Sequence, residues 1–263
     1  MYYIVKNGPF KGLFDFLLEL IFPMGTYCIC CGKYIDISRQ YLICDDCIRK
    51  IGWGKIRLNL EKERKHIGKT KNLDSILSCM VYGIFPRRII FDFKYNGRSY
   101  LSAPLSMIMA DRLMSENSSR AMLSEINYVC SVPMYKKKEK SRGYNHASLL
   151  AKKLTLRLLN YEDYGIDSFG FDFSYLPDCL LRTRSTAPQR SISGAERAAN
   201  LDGAFSLNPK VKDLIPGTKI LLVDDIYTTG ATAAECAEVL KISGAVEVHF
   251  ISLATGNDFL EVL

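Results

Sequence analysis

The sequence predicts an α/β fold, an open and mainly parallel sheet with helices on both faces, preceded by a small zinc-ribbon-like module. Three observations predict it. Four cysteines near the N-terminus recur as two Cys-x-x-Cys pairs, strand-like and helix-like segments alternate from about Leu73 onward, and the aliphatic run KILLVDD ends in two adjacent aspartates just before a helical pattern. Strand alternating with helix implies parallel strands joined by crossover helices.

Composition sets the bounds. A chain of 263 residues holds one large domain or two unequal ones. With 48% hydrophobic and 24% charged residues it folds on a sizeable core, which excludes disorder over most of its length. A formal net charge of +7 leans toward an anionic partner, phosphates or nucleic acid.

The elements follow in order. FKGLFDFLLELIFP is interrupted by Asp15 and Glu19 and is too short for a bilayer, so it reads as a short amphipathic helix. No other run approaches membrane length, and nine cysteines without a secretory signal point to a reducing compartment. A soluble, cytoplasmic protein is expected. In CICCGKYIDISRQYLICDDC, Cys28, Cys31, Cys44 and Cys47 are spaced for four thiolates to converge on one zinc, with Gly32 making the turn after the first pair. Cys30 competes with Cys28 or Cys31, but the two-residue spacing favours the outer pair. Such a closed site leaves no position for substrate, so the zinc is structural, and it supplies on the order of 10 kcal/mol to a module too small for a core. Cys79, Cys130, Cys179 and Cys236 lie singly among apolar residues and read as core thiols. KIRLNLEKERKHIGKTKNL is a nucleic-acid face or a solvated connecting segment, and its isolated His66 is not assigned as a ligand. The helix and cysteine module thus occupy residues 1–70 and the α/β domain residues 71–263.

Within the domain, SILSCMVYGI reads as a strand, PRRIIFDFKYN and SYLSAPLSMIMADRLMSEN as helical, INYVCSVPMY as a strand and NHASLLAKKLTLRLLN as a helix. KILLVDD is the next strand, ATAAECAEVLKIS a helix closed by Gly244, and VEVHFISLATG the last strand. Open sheets bind ligands at the carboxyl ends of their strands, which places Asp224 and Asp225 at the mouth of a cleft. In YTTGAT, Thr228, Thr229 and Thr232 bring hydroxyls, Gly230 a permissive backbone, and the helix start its free amides, a combination suited to a phosphate. Carboxylates beside it suit a vicinal diol, directly or with a magnesium ion. A sugar phosphate is the ligand these residue types imply.

LLVDDIYTTGAT resembles the signature of type I phosphoribosyltransferases, which bind 5-phosphoribosyl-1-pyrophosphate (PRPP). The resemblance implies that Asp224 and Asp225 meet the ribose hydroxyls and their magnesium while Thr228, Thr229, Gly230, Ala231 and Thr232 wrap the 5-phosphate. SVPMYKKKEKSRGYNHASLLAKKL, RTRSTAPQRSISGAERAANLDGAF and FKYNGRSYLSAPLS, with the four-cysteine N-terminus, are similar in order to segments of the ComF family of competence-associated phosphoribosyltransferase homologues. His146 departs from that family's usual Gln, and NYEDYGIDSFGFDFSYLPD exceeds the usual linker and reads as a surface loop rather than a lid.

PRPP transfer needs cations for the departing pyrophosphate. Lys136, Lys137, Lys138, Lys140 and Arg142 follow the strand ending at Val132-Pro133 and read as a pyrophosphate-side loop. Arg182, Arg184, Gln189, Arg190 and Arg197 read as a flap over the site, and Asn145 and Asn200 stand at family positions. Catalytic roles fall on Asp224, Asp225, Arg142 and Arg197. Two functions stand side by side. One is a cytoplasmic factor of DNA uptake and transformation that binds PRPP with magnesium, contacts single-stranded DNA through basic loops and Tyr95, Tyr135 and Tyr144, and meets other uptake proteins. The other is an active phosphoribosyltransferase with an unidentified acceptor.

Overall fold

The computed structural model describes residues 26–36, 38–54, 56–58, 72–161, 169–184 and 203–256. The expected N-terminal helix, His66 with most of its basic stretch, and Gln189, Arg190, Arg197 and Asn200 lie outside these described residues. The chain divides into two compact units, Met1–Lys50 and Ile51–Leu263. Strand β1 (Ile56–Leu58) pairs antiparallel with β2 (Ser75–Val81) within the second unit.

The first unit is a knuckle followed by a short helix. The Gly32 amide donates to the Cys28 carbonyl at 2.8 Å, closing a turn in which Gly32 adopts φ 76°, a left-handed conformation that a side chain resists. The Cys28 amide reaches the Lys33 carbonyl at 2.8 Å, and Tyr27 bridges Tyr34. Helix α1 (Asp45–Lys50) opens on Asp45 and Asp46 and ends on Arg49 and Lys50, the order its dipole favours.

In the second unit β2 is followed by α2 (Ile84–Tyr95), a 3-10 turn, α3 (Ser102–Met114), α4 (Asn117–Glu125), β3 (Tyr128–Ser131), α5 (Lys136–Arg142) and α6 (His146–Leu159). Then come β4 (Ser174–Tyr175), the antiparallel ribbon of β5 (Leu180–Arg182) and β6 (Phe205–Leu207), β7 (Lys219–Tyr227), α7 (Ala231–Ile242) and β8 (Glu247–Thr255). The sheet order is β1-β2-β8-β7-β3-β4, parallel throughout except for β1. Strands β7 and β8 are buried on both faces, which is why they read as unbroken aliphatic runs. Ile220, Leu222, Val248 and Phe250 pack with Ala233, Cys236, Ala237 and Leu240 of α7. The alternate residues Leu221, Val223, Ile251 and Leu253 are buried on the opposite face, where α3 and α6 pack.

This topology creates the cleft. From β7 the chain crosses by α7 to β8 on one side, and from the adjacent β3 it crosses by α6 to β4 on the other. Ligands in open sheets settle at the carboxyl ends where neighbouring strands diverge in this way.

Four sequence expectations change. The basic run 136–142 is helix α5, ending at Gly143 with φ 87°, and not a loop. The helical segment expected from residue 99 ends at Met114, and α4 is a separate helix. Of the stretch read as a surface loop, Phe173 and Leu176 are buried and Ser174–Tyr175 form the edge strand β4, because alternating aromatics give this segment an inward face. Arg182 sits in β5 with its guanidinium 5.3 Å from the Phe205 ring centre, in a ribbon rather than a flap.

Candidate functional site

The four cysteines of the first unit meet. The Sγ atoms of Cys28, Cys31, Cys44 and Cys47 all lie within 4.8 Å of one another, and those of Cys31 and Cys44 are 3.7 Å apart. Tetrahedral zinc–thiolate bonds of about 2.3 Å give sulfur–sulfur edges of about 3.8 Å, so the donor set fits zinc. The Cys44 amide donates to Cys28 Sγ at 3.3 Å. Against the upward push of burial, this and neighbouring amides bring the Cys28 thiol down to about 7, favouring the thiolate a metal needs. Cys30 is buried outside the set, and burial first, then the Cys28 charge, raise its thiol.

At the carboxyl ends of β3 and β7 an open cleft of about 350 Å³ contains Asp224, Asp225, Thr228, Gly230 and Thr232. Thr229 and Ala231, expected in the same cradle, are not among its lining residues. Gly230 begins α7 at φ 74°, and a Cβ there would stand 2.3 Å from the Tyr227 hydroxyl, so both backbone and space require glycine. Successive strand residues face opposite sides, so Asp224 shares the α7 face with Leu222 while Asp225 shares the other with Val223. The Asp225 amide donates to Asp224 Oδ1 at 2.8 Å. Burial, reinforced by the Asp225 charge, pushes the Asp224 carboxyl up to about 8, so that near neutrality it holds a proton much of the time.

Asp225 has a partner that sequence reasoning missed. Lys94 Nζ, from the last turn of α2, donates to Asp225 Oδ1 at 2.8 Å. Burial alone would lower this ammonium, yet Asp225 and, behind it, Asp224 hold it above the ordinary lysine value. A signal existed. Lys94 follows buried Ile90 by four residues, so helical spacing puts a lysine on the inward face of α2, where a charge needs a partner.

The segment after Arg142 fixes the end of α2. Tyr144 Oη donates to the Phe93 carbonyl at 2.5 Å, and His146 Nε2 lies 3.2 Å from the Lys94 carbonyl, satisfying two carbonyls that the helix leaves unpaired. Burial lowers the His146 imidazole to about 4, so the ring is neutral and its Nε2 proton faces that carbonyl. Tyr144, expected to stack bases, is thus an anchor. Asn145 caps α6, accepting from the Ser148 amide, and also lines the cleft.

Cations border the opening. Lys138, Arg142 and Arg182 line the cleft, whereas Lys136, Lys137 and Lys140 do not. Burial first, then repulsion from Arg182 and Arg142, depresses Lys138. Arg142 stands 4.8 Å over the Tyr95 ring and donates to its hydroxyl at 3.1 Å, while Tyr95 lies 4.9 Å from Phe91. Both rings are half exposed.

A magnesium ion chelated by both oxygens of Asp225 does not fit this arrangement. Asp225 Oδ1 already receives an ammonium and Asp224 Oδ1 an amide, whereas magnesium demands carboxylate oxygens at about 2.0–2.1 Å in near-octahedral order. Each carboxylate keeps one oxygen without a hydrogen bond among the described residues, one for each of two neighbouring hydroxyls.

Sheet, switch point and junction loop together define a type I phosphoribosyltransferase-like fold preceded by a four-cysteine module. The chain is a homologue of competence protein F and of the DNA utilization protein YhgH. It is 28% identical over 236 residues to competence protein F of Haemophilus influenzae, covering 86% of this chain and 96% of that protein. It is 30% identical over 162 residues to YhgH of Escherichia coli K12, covering 61% of this chain and 63% of YhgH. A shorter match of 38% over 72 residues links it to the orotate phosphoribosyltransferase of Helicobacter acinonychis, over 24% of this chain and 36% of that enzyme. No family model matches the chain. Among the described residues no helix is long and apolar enough to cross a membrane.

Proposed function

We propose that this chain is a cytoplasmic factor of DNA uptake whose second unit binds PRPP or a related phosphorylated ribose and whose first unit is built around structural zinc. One observation carries the reading of the cleft. The acidic pair, the glycine-led start of α7 and the cations Lys138 and Arg142 all open into one cavity at the switch point between β3 and β7. In this reading the amides opening α7, with Thr228 and Thr232, take the 5-phosphate, the free oxygens of Asp224 and Asp225 hydrogen-bond the two ribose hydroxyls, and Lys138 and Arg142 face the pyrophosphate. Magnesium bound with PRPP neutralises pyrophosphate charge, and here it belongs with the ligand's own oxygens rather than with Asp225. The role in DNA uptake is supported by competence protein F and YhgH, whose names state competence and DNA utilization.

Contact with single-stranded DNA is part of the same proposal. Half-exposed Phe91 and Tyr95, with Arg142 over the latter, offer a stacking face beside the exposed lysines of α5. The match to orotate phosphoribosyltransferase favours a second reading, transfer of the phosphoribosyl group to an unidentified acceptor. The bond from C1 to pyrophosphate would break as a nucleophile bonds C1, with Asp224 and Asp225 orienting the ribose and Arg142 meeting the departing charge; Arg197 keeps its sequence-based assignment to this step.

Calorimetric titration of PRPP into the full chain and into an Asp224→Asn, Asp225→Asn double variant tests the cleft. Binding by the parent with loss of about a hundredfold or more in the variant is expected, since the charge of the pair is removed and the Lys94 ammonium loses its carboxylate. Full affinity in the variant would overturn the assignment.

A further inference from the structure

We propose that Lys94 is the resident cation of the acidic pair, occupying at Asp225 the place a divalent metal would otherwise take, so that the ribose end of the cleft holds its sugar with no metal ion on the protein. The proposal rests on the reading of the cleft as a phosphorylated-ribose site and names how that site balances its charge.

The geometry is that of a built contact. The Lys94 side chain is 17% exposed and that of Asp225 13%, with 2.8 Å between Nζ and Oδ1. An ammonium withdrawn from water this far is retained only where a carboxylate answers it. Its carrier is held from two sides, by Tyr144 on the Phe93 carbonyl and His146 on the Lys94 carbonyl. Both anchors come from the segment just after Arg142, so the stretch bringing a cation to the cleft rim also fixes the cation at its acidic pair. The lysines of α5, by contrast, lie on a helix with no buried residue.

The chemistry follows from which oxygens remain. Lys94 takes one oxygen of Asp225 and the Asp225 amide takes one of Asp224. The two remaining oxygens hydrogen-bond adjacent hydroxyls, Asp225 as acceptor and Asp224 as donor while it holds its proton, so a vicinal diol fits without an intervening ion. A ligand that carries no pyrophosphate, ribose 5-phosphate, therefore needs no divalent cation. With PRPP a divalent ion answers to the pyrophosphate alone.

The test uses the zinc-loaded full chain, its Lys94→Met and Lys94→Arg variants, and thermal melting to confirm that each variant is folded. Ribose 5-phosphate is titrated by calorimetry in EDTA and in magnesium. The parent is expected to bind equally in both, Lys94→Met to lose about tenfold or more in EDTA and recover partly in magnesium, and Lys94→Arg to stay near the parent. A parent that requires magnesium, or a Lys94→Met protein that binds like the parent in EDTA, overturns the proposal. A second arm needs no sugar. Manganese followed by electron paramagnetic resonance should find no site at the pair in the parent and one in Lys94→Met, lost again when Asp225→Asn is added; manganese at the pair in the parent overturns the proposal outright. Failure of the parent to bind ribose 5-phosphate in either buffer overturns the sugar-phosphate reading and the sugar half of this inference, and the manganese arm still decides whether Lys94 holds the cation's place.

Discussion

Asp224 and Asp225 are neighbours in sequence and chemically unlike, because strand alternation sends them to opposite faces of β7. Asp225 meets the Lys94 ammonium, whereas Asp224 is pressed by burial and by the Asp225 charge until its carboxyl titrates at about 8 rather than 3.8. The sign of the linkage follows. A carboxyl whose folded value is raised contributes stability that is whole below its unfolded value of 3.8 and is lost as pH rises through about 8. The parent should therefore lose thermal stability relative to Asp224→Asn as pH climbs from about 5 to about 8, where the folded protein must give up that proton. Melting temperatures of both proteins across that range check it, and a constant difference between them would mean that Asp224 is ionised throughout. Both aspartates and the glycine between the threonines were legible from LLVDDIYTTGAT because strand, acids and helix start are contiguous in sequence. The pairing of Lys94 with Asp225 was not, because the two lie 131 residues apart.

Among the elements, the four-cysteine knuckle should depend most on something other than its own packing. Its described residues offer a short helix, a 3-10 turn at Gln40–Leu42, a knuckle turn and a few buried side chains such as Ile35 and Ile43. A structural zinc contributes on the order of 10 kcal/mol to such a module. Protein purified without chelator should carry one zinc per chain, and Cys44→Ser should release it and abolish amide protection in residues 26–50 when followed by hydrogen exchange. Retained protection without metal would show that packing alone suffices. The metal spacing could be read because four ligands of one type, cysteine, recur at fixed intervals. Helices α4 and α5 were harder, α4 for its polar serine-rich start and α5 because KKKEKSR has no apolar face to reveal a period. Buried Phe173 was hidden in the same way, one inward ring in a run whose acids suggested solvent.

For the whole molecule, the net charge of +7 becomes useful only through where its cations stand. Lys138 and Arg142 line the cleft, and Lys136, Lys137 and Lys140 lie on the same helix outside it. Single-stranded DNA crossing α5 would release about 0.7 counterion per phosphate neutralised, so replacing Lys136, Lys137 and Lys140 by Ala should flatten the plot of log affinity against log salt by about 2. Tyr95→Ala should cost about 1–3 kcal/mol of binding at any salt, because stacking is not screened. Arg142 is shared, since it lines the cleft and covers Tyr95. A pyrophosphate that draws this guanidinium inward removes a cation from the DNA path, so PRPP should weaken DNA binding and DNA should weaken PRPP binding by the same factor. Fluorescence anisotropy of a labelled oligonucleotide with and without PRPP, paired with PRPP calorimetry with and without the oligonucleotide, measures both sides of that cycle. Equal factors that vanish in Arg142→Ala place the coupling at this side chain; DNA affinity indifferent to PRPP would separate the two surfaces and leave phosphoribosyl transfer as the better account of the cleft.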